Sequence, residues 1–172
     1  MPGRRLLALA VTSVWLITGP LVWAQQYSAK EQAELVKALK EAKISLADGL
    51  SASEREGQPI SGQFEVEDKE LDLSVYTMKR GTFSEVIVNH KTGTIAEVGP
   101  ITSDEELAAA KTQAQAMAQA KQSLRAVVDK AVNANQGFRA VSIVPILKGG
   151  HPVAEVTLVK DGTFKTVTET LE

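Results

Sequence analysis

The sequence contains no cysteine. That excludes a disulfide framework, a thiolate metal site and covalently held c-type haem. Aromatic residues are scarce: beyond residue 24 only Tyr27, Phe64, Tyr76, Phe83, Phe138 and Phe164 occur. So few rings cannot build a stacking platform for single-stranded nucleic acid. Neither sign of charge dominates, with 19 basic against 21 acidic residues. Bulk electrostatics therefore give no grip on nucleic acid or anionic lipid. The acylation motif Ser-x-x-Lys, the Gly-x-Ser-x-Gly elbow and the His-Glu-x-x-His helix are all absent. Gly57-Gln58-Pro59-Ile60-Ser61-Gly62 has the glycines of a phosphate loop but not its lysine.

One apolar run is present, and its setting is that of an export signal. Arg4 and Arg5 precede the stretch Leu6–Thr18, Gly19-Pro20 breaks it, and Val22 and Ala24 stand at the −3 and −1 positions of a cleavage site. The run is shorter than the ~20 residues that span a bilayer. Residues 1–24 are therefore expected to be a cleaved signal peptide, leaving a chain that starts at Gln25 and has no membrane anchor. Removing two arginines and no acids makes the remainder more negative than the −2 of the whole chain. The expected location is periplasmic or secreted, where the lack of disulfides leaves stability to apolar burial.

The rest carries a degenerate repeat. Ala42-Lys43-Ile44-Ser45-Leu46 matches Ala120-Lys121-Gln122-Ser123-Leu124, and Lys79-Arg80-Gly81-Thr82-Phe83 matches Lys160-Asp161-Gly162-Thr163-Phe164. Each copy reads as a helix followed by strands. In the first, Ser28 and Glu31 have capping-box spacing, and Leu35, Leu39, Ala42 and Leu46 recur at helical spacing, with Asp48-Gly49 closing the helix. A polar linker over Ser51–Pro59 is expected next. Period-two alternation follows through Phe64, Val66, Leu71, Leu73, Val75, Val86 and Val88, with turns at 67–70, 79–82 and 90–93. In the second copy, Ser103 opens one long helix to about Asn133 with an Ala-faced first half, expected to pack against the first copy. Strands are expected at Phe138–Leu147, Val153–Lys160 and Phe164–Leu171. The fold class is α+β: two helix-plus-antiparallel-sheet repeats, over 25–100 and 101–172.

Phe83-Ser84-Glu85-Val86-Ile87-Val88-Asn89-His90-Lys91-Thr92-Gly93-Thr94-Ile95 resembles the closing strand and turn of PepSY-type domains. The chain is similar to a tandem of such domains. The likeness covers roughly residues 30–99 and 104–172, although the second copy lacks the Thr-Gly turn. It implies a cystatin-like helix across a sheet, no catalytic residues, and a role in restraining peptidases.

No catalytic, cofactor or metal site is assigned. His90 and His151 each fall in a turn without ligand spacing and are expected to be solvated. Glu65, Glu67, Asp68, Glu70 and Asp72 lack the pattern of a calcium loop and are expected to form a solvated edge. The expected function is capture of a protein partner in the cell envelope. Its site is placed on the last strand, at Phe164, Thr166, Thr168 and Thr170, as a sheet edge, or on the preceding hairpin tip with Gly149 and His151. Two other classes stay open. One is a small-ligand carrier with a pocket lined by Leu46, Leu73 and Val86; the other is a hydrolase without a recognisable motif.

Overall fold

The structure, a computed structural model, describes residues 28–172, so the expected signal segment lies outside the described residues. Among the described residues four α-helices and seven strands occur in the order α1 (Ala29–Ala38), α2 (Leu46–Ser53), β1 (Gln58–Glu67), β2 (Glu70–Lys79), β3 (Thr82–Val88), β4 (Ile95–Pro100), α3 (Asp104–Met117), α4 (Leu124–Ala134), β5 (Arg139–Lys148), β6 (His151–Lys160) and β7 (Thr163–Thr170). The strands form one antiparallel sheet, β4-β3-β2-β1-β5-β6-β7. No helix among the described residues is long and apolar enough to cross a membrane.

The turns fall where alternation stops. Arg80 and Gly81 take φ of 53° and 83°, and Asp161 and Gly162 take 49° and 80°. Two successive left-handed residues match the twist of the strands they join. At the end of β3, Asn89 Oδ1 accepts from Lys91 N (2.9 Å) and Thr92 N (3.0 Å), and Gly93 at φ 76° sends the chain back. The returning segment adds β4, a strand not anticipated from the sequence.

The long helices are not continuous. The first breaks at a 3-10 turn over Leu39–Glu41, and Asp48 is not a terminator but the third residue of α2. Ser45 caps that helix, its Oγ accepting from Asp48 N while Asp48 Oδ2 accepts from Ser45 N. The expected linker at 51–59 is thereby consumed: Ser51–Ser53 end α2 and Gln58 begins β1. The second long helix also splits, with Ser123 capping a new helix, α4. The repeated Ala-Lys-x-Ser-Leu is thus a helix restart. In each half the two N–H groups before the cap donate to one carbonyl at a strand end. Lys43 N and Ile44 N meet His90 O at 2.9 and 3.2 Å, while Lys121 N and Gln122 N meet Leu171 O at 2.7 and 3.1 Å.

Helices α2 and α4 pack side by side on one face of the sheet. Leu46 and Leu50 of α2 sit over Gly62 of β1, where any side chain would press on them. Ser61 and Tyr76, one residue along their strands, turn to the other face and meet α3. Ser61 Oγ donates to Gln113 Oε1 at 2.9 Å, and the Tyr76 hydroxyl donates to Glu106 Oε1 at 3.3 Å. The Ala-faced α3 therefore lies across β1 and β5, so it does contact the first half of the chain. Leu46, Leu73 and Val86, offered above as pocket lining, are fully buried. A Cβ on Gly49 would overlap Leu73, so the space between α2 and β2 is filled.

One cation joins the halves. Arg139 Nη1 donates to Leu39 O at 3.0 Å and Nη2 to Ile44 O at 2.6 Å, with the guanidinium 4.9 Å from the Phe64 ring centre. Burial lowers its pKa. Arg139→Met keeps the apolar stem but leaves two carbonyls without donors. It should lower unfolding free energy by about 2–3 kcal/mol, read as a shifted urea midpoint at unchanged slope.

Candidate functional site

The last strand is an edge: β7 pairs with β6 alone. Leu171 N donates to Pro152 O at 3.0 Å, which fixes the parity of the ladder. Odd-numbered residues of β7 turn their N–H and C=O groups to β6, and even-numbered ones turn theirs outward. Phe164, Thr166, Thr168 and Thr170, the candidate partner-binding positions, thus carry the outward backbone groups. Their side chains share one face of the sheet, with Thr166, Thr168 and Thr170 exposed. The Thr166 and Thr157 hydroxyls lie 3.4 Å apart across the ladder. Lys165, Val167 and Glu169 point to the α4 face, where Lys130 Nζ meets Glu169 Oε2 at 2.7 Å. Lys165 Nζ bonds Asn135 Oδ1 at 2.6 Å over the Phe138 ring.

Most of β7 is left open to pairing. It runs eight residues without proline or register shift. The opposite edge, β4, has six residues, ends on Gly99-Pro100 and is irregular against β3. Those are the features by which sheets protect an edge. At the lower end of β7, Gln122 Nε2 reaches Thr170 O at 3.4 Å, so the open stretch centres on Thr166 and Thr168.

Gly149 and His151 belong to the β5–β6 tip, where Gly149 and Gly150 take φ of 61° and 85°. Pairing of Val153 with Thr170 brings this tip beside the end of β7. His151 Nδ1 lies 2.9 Å from Glu172 Oε1, which holds that carboxyl below its usual range. Strand and tip, separate candidates in the sequence, form one contiguous border. His151 is exposed as expected. His90 is not: it is half-buried, its Nδ1 is sealed without a partner, and burial lowers its pKa. The two histidines stand at opposite ends of the sheet, so they cannot share a ligand. Among the described residues no group of three or more His, Cys, Asp or Glu side chains is placed to hold a metal ion.

The expected solvated acidic edge is partly wrong. Glu67, Asp68 and Glu70 are exposed, but Glu65 and Asp72 are half-buried and line, together with the exposed Glu67, a cleft of about 300 Å³ on the face that α3 partly covers, with Tyr76, Glu85 and Glu106. Burial, then the charges of Glu85, Glu67 and Asp72, push Glu65 up to about 7, against only one donor, Gln63 Nε2 at 3.0 Å. Burial also raises Glu85 despite its bond from the Ser74 hydroxyl. Pairings such as Tyr76 with Glu85 gather these groups across strands. Their one sequence signal was parity within each strand. Carboxyls gathered on one side, with Glu65 and Glu85 raised by burial, give a surface that holds protons.

Because folding raises the Glu65 pKa, the native state binds more protons than the unfolded chain between 4.5 and about 7. Stability should therefore fall as pH rises through that window and level off above it. Glu65→Gln should flatten this slope and be more stable at pH ~8 by about 2 kcal/mol, measured by urea denaturation at several pH values. An unchanged slope in that variant would place the effect elsewhere. No family model, no curated protein and no solved structure matches this chain.

Proposed function

We propose that this is an exported, non-catalytic binding protein of the PepSY type, made of two helix–helix–sheet repeats. In this reading it holds an extended segment of an envelope protein as an added strand along β7. The observation that carries the proposal is the unprotected edge with its outward groups at Thr166 and Thr168. An incoming strand gains main-chain hydrogen bonds there, and side-chain positions on alternate faces supply selectivity. The matching caps at Ser45 and Ser123, each preceded by two N–H groups on one strand-end carbonyl, support the two-repeat reading. The PepSY resemblance supports a peptidase as the partner, restrained by occupation of a segment it needs for activity.

The ladder parity makes the test selective. Thr168 N points away from β6, so Thr168→Pro removes a partner-facing donor and no native hydrogen bond. The variant should melt within a few degrees of the parent and lose the partner retrieved by the wild-type chain from a cell-envelope extract. Addition of the wild-type chain, but not the variant, should lower the activity of a retrieved peptidase. A folded Thr168→Pro chain that retrieves the partner undiminished would rule out β7 as the site.

A further inference from the structure

We infer that β7 also pairs with β7 of a second copy, forming a two-fold dimer that occludes the edge. This inference rests on the edge reading above and adds its regulation.

Antiparallel pairing of two identical strands must be centred on one residue or between two. The outward groups belong to even-numbered residues, so they can bond only to even-numbered residues of the other strand. One register makes full use of the side chains. With Thr166 opposite Thr168 of the second copy, Val167 faces its own mate on the axis. Lys165 then faces Glu169 of the second copy, twice over by symmetry. These last pairs are the closer, non-hydrogen-bonded kind, in which cross-strand side chains interact most strongly. Sliding by one pair in either direction sets Val167 opposite Lys165 or opposite Glu169, so both matched charge pairs are lost. The two Thr166–Thr168 pairs supply four hydrogen bonds that do not involve the Thr170 carbonyl reached by Gln122.

The charges that this register pairs already have partners on the α4 face. Lys165 and Glu169 are held on the α4 face by Asn135 and Lys130, and the second copy's charges extend each of these contacts. Helix α4 packs over β5, β6 and β7, while α3 crosses β1, β5 and β6 and so is centred away from the β7 edge. The joined sheet would have β4 at both ends, the edges already protected by Gly99-Pro100. A single strand pair buries little area, which makes the dimer weak and displaceable by a partner segment.

Sedimentation of the mature chain over a concentration series tests the inference. The wild-type mass should double as concentration rises. Lys165→Glu and Glu169→Lys should each dissociate the dimer, weakening it about tenfold or more, because both axial charge pairs become repulsive. Mixed in equal amounts, the two variants should recover it, since every pair in the heterodimer is again opposite in sign. Thr168→Pro, whose native hydrogen bonds are intact, should be monomeric throughout. A wild-type chain that stays monomeric while still capturing its partner would overturn the dimer and leave the edge reading standing. Folded charge variants that fail to recover a dimer when mixed would overturn the register.

Discussion

The central constraint in this molecule is the narrow seam between β1 and β5. Gly62 pairs with Ile143 and Gln63 with Ser142, and through those residues seven strands become one sheet. So short a ladder could not by itself hold two layers in register. It is reinforced on one face by the packing of α2 against α4 and on the other by α3, whose Gln113 reaches Ser61. Arg139 closes the remaining gap by giving its donors to the carbonyls of Leu39 and Ile44. With no cysteine to staple it, the protein relies on one hydrophobic core that runs through both halves of the sheet.

Placing β1 and β5 at the centre decides which strands are the edges. The ends of the sheet fall to β4 and β7, and the two are unequal. Gly99, Pro100 and an irregular register protect one end, whereas β7 offers a regular, threonine-rich border. Pro152 contributes at its lower end. Lacking an N–H, it leaves the Leu171 carbonyl to accept from Lys121 and Gln122, which anchors the start of α4 to the end of β7. The same pairing pattern leaves the groups of Thr166 and Thr168 facing outward. The outward backbone groups of Thr166 and Thr168 are therefore ones the fold itself does not need.

Strands and turns were legible because alternation in Phe64–Val88 and the Arg80-Gly81 and Asp161-Gly162 pairs are local signals. The α+β class followed from them, whereas the last strand was only one candidate for a sheet edge. The helix breaks were not legible: Ala, Lys and Leu around Ser45 and Ser123 are good helix formers, and periodicity ran straight through both caps. What stops each helix is a carbonyl far along the chain, His90 or Leu171, which no local pattern reveals. The Glu65–Glu85–Glu106 cleft was missed for a similar reason. Its members come from β1, β3 and α3, and only strand register and the path of α3 bring them together.

Amide hydrogen exchange along β7 tests the central claim most directly. In dilute protein, Val167 and Glu169 should be protected by β6 while Thr166 and Thr168 exchange far faster, giving an alternating pattern along one strand. Occupation of the edge should then slow Thr166 and Thr168 selectively. Uniform protection along β7 in dilute monomer, or fast exchange at Val167 and Glu169 instead, would contradict the account.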